Sequence, residues 1–289
     1  MHPRAFEYVR ASSVPEAVAL LAKGGEDAKI LAGGQSLIPL MKLRLAAPSL
    51  VIDIGHIPGL SGIREEGGFL RIGAMTRHRE FESSPLIRER YPLLADAVKV
   101  LGDPQVRNLG TIGGSLVHAD PAGDWGTALL ALDTELVATG PAGDRSLSID
   151  RFFEDPFTTA LSPSELLTEI RIPKAPARSG GAYKKLKRKT GDFATVAVSA
   201  RLLLGPEGKI SEARVGIGAV APVPFRSIHA EDSLKGRSPS DAAFGEAGRL
   251  ASVDSQPGSD LHGSPDYKRA MVRVLTRRAL ETATERARM

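Results

Sequence analysis

Two glycine-rich loops constrain what this 289-residue chain can fold into. The first, Gly33-Gly34-Gln35-Ser36, follows a run typical of a buried strand, Lys29 to Ala32, and precedes an apolar stretch. Glycine allows a positive φ and lets backbone amides approach a ligand where a Cβ would obstruct. The pattern therefore predicts an α/β unit whose loop either binds an anion or forms a tight turn.

The second loop, Asn108 to Ser115, contains three glycines together with the hydroxyls of Thr111 and Ser115. Neither loop has the Gly-Lys-Ser/Thr sequence of a P-loop. Two such loops in adjacent lobes predict that both bind the same anion. A pyrophosphate has the required span, because each phosphate accepts hydrogen bonds from backbone amides and from a hydroxyl.

Hydrophobic periodicity divides the chain into three predicted units, residues 1–58, 59–176 and 177–289. A linker is predicted around Pro173, Pro176 and Gly180-Gly181. The runs that follow it are strand-like at Ala182 to Lys187, Thr195 to Leu204 and Ile210 to Ala219, then helical at Asp241 to Ser252 and Tyr267 to Glu285. The predicted fold class is therefore α+β, with two N-terminal α/β lobes and a C-terminal α+β domain that has a three-stranded sheet and helices.

The residue types and motifs that the sequence lacks restrict the chemistry that the chain can perform. The chain has no cysteine, which excludes disulfides, a nucleophilic thiol and a protein-ligated iron–sulfur cluster. No acid–base pair, Ser-His-Asp order or nucleophile elbow emerges, so we predict no catalytic residue. Such a chain suits chemistry that belongs to a non-metal cofactor.

Asp124 follows a loop and opens an apolar helical pattern, so it is either a helix cap or a ligand contact. A metal cluster of His118, Asp120 and Asp124 is disfavoured, because Pro121 and Gly123 interrupt the element between them. We therefore predict no metal site.

The net charge of +4 and two basic clusters, Lys184 to Lys189 and Lys268 to Arg288, raise the question of nucleic acid. Only 5% of the residues are aromatic, which favours solvated surfaces over a nucleic-acid site. Gly216-Ile217-Gly218 is followed by prolines rather than a helix, so it is not a dinucleotide site.

The start of the chain is polar and no apolar run is long enough for a membrane span, so we expect a cytoplasmic protein.

Taken in order, several segments together resemble one known family. They are Ile30 to Leu37, Val51 to Asp53, Arg107 to Ser115, Asp120 to Asp124, and Tyr183 to Ala194 with its Thr-Gly-Asp-Phe-Ala end. The resemblance, which covers almost the whole chain, is to the FAD-binding medium subunit of the molybdenum hydroxylases. That family includes the medium chains of carbon monoxide dehydrogenase and the FAD-binding subunits of xanthine dehydrogenase.

The resemblance implies an FAD-binding fold of the vanillyl-alcohol-oxidase (PCMH) type and an oxidoreductase whose cofactor is FAD. It also implies two partners, a small iron–sulfur subunit and a large molybdopterin subunit, in a heterotrimer or its dimer. Electrons would pass from the molybdenum site through iron–sulfur clusters to FAD and then to an external acceptor. The substrate and the acceptor stay open.

The resemblance also assigns site residues. The pyrophosphate would be held by Ile30, Leu31, Ala32, Gly33, Gly34, Gln35, Ser36 and Leu37, and by Thr111, Ile112, Gly113, Gly114 and Ser115. Asp124 would bond the sugar or adenine side, and Leu101 and Leu167 would pack on the rings. Counting back from Asp192 places a lysine near the flavin at Lys184, whereas counting from Arg188 selects Lys185.

Two other functions stay open at this point. One is a self-contained flavin oxidase with its own substrate, for which the sequence offers no catalytic set. The other is a non-enzymatic binding module that uses the basic clusters on an acidic partner.

Overall fold

A computed structural model describes residues 2–289 and begins with a three-stranded parallel sheet, the first lobe. Its elements are β1 (Glu7–Arg10), α1 (Val14–Gly24), β2 (Ala28–Leu31), α2 (Leu37–Lys42) and β3 (Leu50–Asp53). The strands lie in the order β1-β3-β2, and both pairs are parallel. The first glycine loop joins β2 to α2, as the sequence predicts.

The second lobe is a five-stranded antiparallel sheet in the order β4-β5-β10-β6-β7. Its elements are β4 (Ile63–Glu66), β5 (Phe69–Gly73), α3 (His78–Ser83), α4 (Pro85–Arg90), α5 (Pro92–Val100), α6 (Pro104–Leu109), α7 (Ile112–His118), α8 (Asp124–Leu130), β6 (Glu135–Gly140), β7 (Gly143–Ser148), β8 (Phe153–Asp155), β9 (Thr158–Thr159) and β10 (Leu166–Pro173). All six helices lie between β5 and β6 in the chain. The second glycine loop joins α6 to α7 within this insertion.

The third lobe has an antiparallel sheet covered by helices. Its elements are β11 (Ser179–Leu186), β12 (Val196–Leu204), β13 (Ile210–Gly218), β14 (Phe225–Arg226), α9 (Ile228–Leu234), α10 (Asp241–Asp254) and α11 (Pro265–Ala287). The three predicted strands are present, but β14 adds a fourth, so the predicted three-stranded sheet was one strand short. A strand of two residues is too short to show any periodicity in the sequence. No helix within residues 2–289 is both long and apolar enough to cross a membrane.

Two glycines that suggested a linker lie inside β11 instead. A Cβ at Gly180 would lie 2.1 Å from the carbonyl oxygen of Ala283 in α11. Glycine is needed there because the strand and the last helix approach each other closely. The prediction of a linker at Gly180-Gly181 was therefore wrong.

Two further glycines bring the third lobe onto α8 of the second. A Cβ at Gly216 would lie 2.7 Å from the carbonyl oxygen of Thr127, and one at Gly218 would lie 2.0 Å from its hydroxyl. The Gly216-Ile217-Gly218 sequence thus allows close packing between a sheet and a helix. This packing places β11 beside the start of α8, where Asp124 lies.

Ion pairs join the second lobe to the third, and in each of them the same lobe supplies the negative charge. The pairs and their N···O distances are Asp96 with Arg286 (2.6 Å), Asp124 with Lys185 (2.8 Å), Asp133 with Arg201 (2.5 Å) and with Arg214 (2.8 Å), and Asp150 with Arg226 (3.0 Å). In all five, the carboxylate belongs to the second lobe and the cation to the third. The exposed pairs each contribute little stability, but together they favour one orientation of the lobes.

Candidate functional site

The first glycine loop offers backbone amides that the protein does not use. Gly34 has a φ of 73°, which reverses the chain between β2 and α2. Within residues 2–289, the amides of Gly33, Gly34, Gln35 and Ser36 donate to no protein acceptor. These amides are therefore available as donors to an anion.

The second glycine loop uses its amides internally. The hydroxyl of Thr111 accepts a hydrogen bond from the Gly114 amide (3.2 Å) and caps α7. The amides of Ile112 and Gly113 donate to carbonyls of the segment after β5 at 3.1 and 2.8 Å, and the Ser115 amide donates to Thr111 at 3.0 Å. This loop is preformed, so its contribution to a ligand is shape and side-chain hydroxyls.

The two loops lie against each other. A Cβ at Gly33 would lie 2.3 Å from the carbonyl oxygen of Leu109 and 2.7 Å from the Cα of Gly110. A Cβ at Gly114 would lie 3.4 Å from the Cβ of Ala32. The structure thus brings together the two segments that the sequence singled out.

Asp124 connects the second lobe to β11 at one edge of this region. Its carboxylate accepts hydrogen bonds from the Tyr183 hydroxyl (2.7 Å) and from the Lys185 ammonium (2.8 Å). The side chains of Asp124 and Lys185 are only 6% and 1% exposed. Burial raises the pKa of Asp124, and the nearby Lys185 ammonium opposes that rise. The Asp124 side chain does not cap α8, so of the two predicted roles, helix cap or ligand contact, the cap is absent.

Strand alternation separates the lysines of β11. Lys185 and Lys187 both reach the carbonyl oxygen of Val100 at the end of α5, at 3.4 and 2.9 Å. Because successive side chains of a strand point to opposite sides, Lys184 lies on the other side of β11 from Asp124. Lys185 is therefore the lysine beside Asp124. Which of Lys184 and Lys185 lies near the flavin stays a prediction. Burial and the charge of Lys185 lower the pKa of Lys187.

The predicted apolar contacts are distributed around this region. Leu101 follows α5 and Leu167 lies in β10, and both are buried in the core of the second lobe. Ile30 and Leu31 end β2, and Leu37 begins α2, each half-buried. Their packing against a cofactor stays a prediction.

The basic clusters are partly neutralised within the chain. Besides Lys185, the buried Lys268 is paired with Asp260 (2.6 Å), and Arg286 is paired with Asp96 (2.6 Å). These partners reduce the positive charge that an acidic macromolecule would meet.

Two family profiles together cover most of the chain. The one for the FAD binding domain in molybdopterin dehydrogenase matches residues 4–175, and the one for the CO dehydrogenase flavoprotein C-terminal domain matches residues 181–283. The chain belongs to the family of FAD-binding medium subunits of molybdenum hydroxylases. This confirms the resemblance and the predicted fold class, and it makes FAD the cofactor.

Individual relatives match this medium subunit from end to end. The carbon monoxide dehydrogenase medium chain of Hydrogenophaga pseudoflava is 44% identical over 286 residues, 99% of each chain. The 6-hydroxypseudooxynicotine dehydrogenase complex subunit alpha of Paenarthrobacter nicotinovorans is 38% identical, with 100% of this chain and 97% of that one covered. A solved carbon monoxide dehydrogenase from Hydrogenophaga pseudoflava has a TM-score of 0.96 at 45% identity, and 99% of each chain is covered.

The residues of the medium subunit fit FAD. The pyrophosphate of FAD needs several hydrogen-bond donors, and the first loop supplies amides that have no acceptor among residues 2–289. Gly33 and Gly114 allow the two loops to pack closely, which keeps these amides beside the second loop. The fit therefore rests on the chemistry of the donors as well as on the family.

Several residues of this region were not predicted from the sequence. Tyr183 and Val100 hold Asp124 and the two lysines, and His78 contacts both Gly110 and Trp125. Alternation along β11 is a signal that would have grouped Tyr183 with Lys185. The contact between His78 and Trp125 joins positions 47 residues apart, and no local pattern indicates it.

Proposed function

We propose that this medium subunit works with a small iron–sulfur subunit and a large molybdopterin subunit, in a heterotrimer or its dimer. Electrons from a substrate oxidised on the large subunit reach the medium subunit through iron–sulfur clusters and leave to an external acceptor. The relatives' names, a medium chain and a complex subunit, support such an assembly. The structural observation that carries the cofactor role of the chain in this assembly is the unused amides of the first loop beside the second loop.

In this proposal the chain binds and orients the cofactor and supplies no proton-transfer residue. The amides of Gly33 to Ser36 hold the pyrophosphate, and Gly114 with Ser115 closes the other side. When bound, FAD supplies the redox chemistry by accepting and releasing the electrons. Every other part of the reaction belongs to the partner subunits.

Asp124 keeps acceptor capacity for the cofactor. Each of its oxygens accepts one hydrogen bond within the chain, and a carboxylate oxygen can accept a second. A sugar hydroxyl of FAD is the donor that we assign to it. Lys185 and Lys187 add positive charge on the same side, which favours the gain of electrons by a nearby group.

The test is to express the chain with the reading frames of its two partners and to measure flavin, iron and molybdenum in the purified complex. We expect stoichiometric FAD together with both metals. A complex that contains both metals and no flavin would contradict the cofactor role. A chain that never associates with such partners would contradict the assembly.

Gly114→Val sharpens the test at the second loop. The added side chain would meet the Thr111 hydroxyl, 2.8 Å from the Cβ position, and Ala32 beyond it. We expect a folded complex that retains no FAD. Gly245→Val is the matched control, because no atom lies within 4 Å of a Cβ at Gly245. Full flavin content in folded Gly114→Val would refute the role of this loop.

A further inference from the structure

His78 stands between the second glycine loop and the helix that carries Asp124. It is the first residue of α3, and its side chain is buried. Its backbone amide donates to the carbonyl oxygen of Gly110 (3.0 Å), within the second loop. Its ring Nδ1 accepts a hydrogen bond from Nε1 of Trp125 (3.0 Å), the residue after Asp124.

The direction of the hydrogen bond from Trp125 fixes which nitrogen of the His78 imidazole is protonated. An indole N–H can only donate, so Nδ1 of His78 must be the acceptor and the ring proton lies on Nε2. Burial, followed by the charge of Arg107, lowers the pKa of His78 to about 4. The ring is therefore neutral at neutral pH, and its bond to Trp125 persists there.

The other edge of the ring lies on the backbone of Gly110. A Cβ at Gly110 would lie 2.8 Å from Nε2 and 2.9 Å from Cδ2 of His78. The imidazole thus contacts the start of the loop on one side and Trp125 on the other. Trp125 is itself fully buried and packs on Phe81, with ring centroids 4.6 Å apart.

We infer that His78 is a positioning residue for FAD, because it fixes the second glycine loop relative to Asp124. The inference rests on the proposed function, in which the loop and Asp124 contact the same cofactor. These two groups belong to different helices, and a small change in their separation would misplace one contact or the other. A buried imidazole that is bonded toward α8 and packed on the loop holds that separation.

An aromatic side chain of similar shape would fill the space but not make the bond. His78→Phe leaves the Trp125 N–H without an acceptor and removes the hydrogen bond that joins α8 to α3. In His78→Asn, the side-chain oxygen lies near the position of Nδ1 and accepts from the same N–H. The pair of variants therefore separates hydrogen bonding from packing.

The experiment measures FAD dissociation from the complete complex by the recovery of flavin fluorescence, for the wild type and both variants. We expect His78→Phe to weaken FAD affinity about tenfold and His78→Asn to recover most of that loss. His229→Phe is the control, because His229 is a surface histidine of the third lobe whose side chain is 76% exposed.

Trp125 gives a readout that does not depend on FAD. It is the single tryptophan of the chain, so in the chain without partners and without FAD the emission reports on the surroundings of this one indole, including the hydrogen bond to His78. We expect its emission to change in His78→Phe and to return toward the wild-type spectrum in His78→Asn. If His78→Phe does not fold, Trp125→Phe removes the same bond from the other side and should weaken FAD affinity to the same degree.

The outcomes separate this inference from the proposed function. Wild-type complex without FAD contradicts the proposed function itself. Wild-type affinity in folded His78→Phe overturns the inference while FAD binding stands. Equal losses in His78→Phe and His78→Asn also overturn it, because the bond to Trp125 would then have no effect.

Discussion

The two glycine loops share a composition and differ in how they are built. The first has amides without protein acceptors and a glycine at positive φ, whereas the second donates its amides to Thr111 and to the segment after β5. The first loop can therefore gain hydrogen bonds from a ligand, and the second has most of its amides bonded before any ligand arrives. A glycine-rich sequence alone does not reveal which of these functions a loop has.

The largest expected effect comes from the point where the loops touch. In Gly33→Val, the Cβ would lie 2.3 Å from a backbone oxygen, and backbone cannot move away as a flexible side chain can. We expect complete loss of FAD and a decrease in the free energy of unfolding of about 3 kcal/mol. Flavin content and urea unfolding measure the two effects. Gly258→Val, with open space around the added Cβ, should change neither.

Acid should act on the second loop through His78. The pKa of this residue is about 4 in the folded chain against an ordinary 6.5, so the unfolded chain binds the proton more readily between these values. Stability is therefore expected to fall as the pH decreases from about 6.5 to 4, by roughly 3 kcal/mol in total. Urea unfolding across this range checks it. His78→Asn should lack this component, and an identical pH profile in the variant would contradict the assignment.

Gly34→Ala tests the turn of the first loop. A non-glycine residue at a φ of 73° is strained by about 1 kcal/mol, and the new methyl would also press on Ile38. Gly208→Ala is the matched control, since Gly208 has a φ of 74° and open space. Both variants should lose similar stability by thermal unfolding, but only Gly34→Ala should release FAD faster. Equal FAD release from both would mean that the turn does not orient the amides.

The smallest expected effects come from removing one side-chain hydroxyl from each loop. Thr111→Ala removes a helix cap and should cost about 1 kcal/mol with or without FAD, and Thr111→Ser should restore it. Ser36 precedes α2 without making a side-chain cap, so Ser36→Ala should leave the chain without FAD unchanged. Thermal unfolding with and without added FAD measures both. A loss in Ser36→Ala without FAD would remove the distinction between the loops.

The sequence was sufficient for the fold class, the family and the approach of the two loops. Local signals carried these predictions, because strand and helix periodicity and the glycine pairs each lie within a short window. Such local signals do not reveal which acceptors the amides of the second loop bind. This depends on the segment after β5, which precedes the loop by more than thirty positions.

The error at the predicted linker has a physical cause. Gly180-Gly181 has the composition of a linker, but a distant helix packs on it, and only the folded chain shows that approach. Counting along a motif left Lys184 and Lys185 open as the lysine near the flavin, because it ignores which side of a strand a residue occupies. Strand alternation adds that information, since it places Lys185 with Tyr183 and Lys184 on the other side.

The uniform polarity of the ion pairs between the second and third lobes has a consequence for how the chain folds. In every one of these pairs the second lobe supplies the negative charge and the third the positive charge, so attraction acts before the surfaces touch and guides the third lobe into place. Added salt should therefore slow the docking step in refolding while leaving the formation of each sheet unaffected. The same surface that orients the finished molecule would thus also accelerate its assembly.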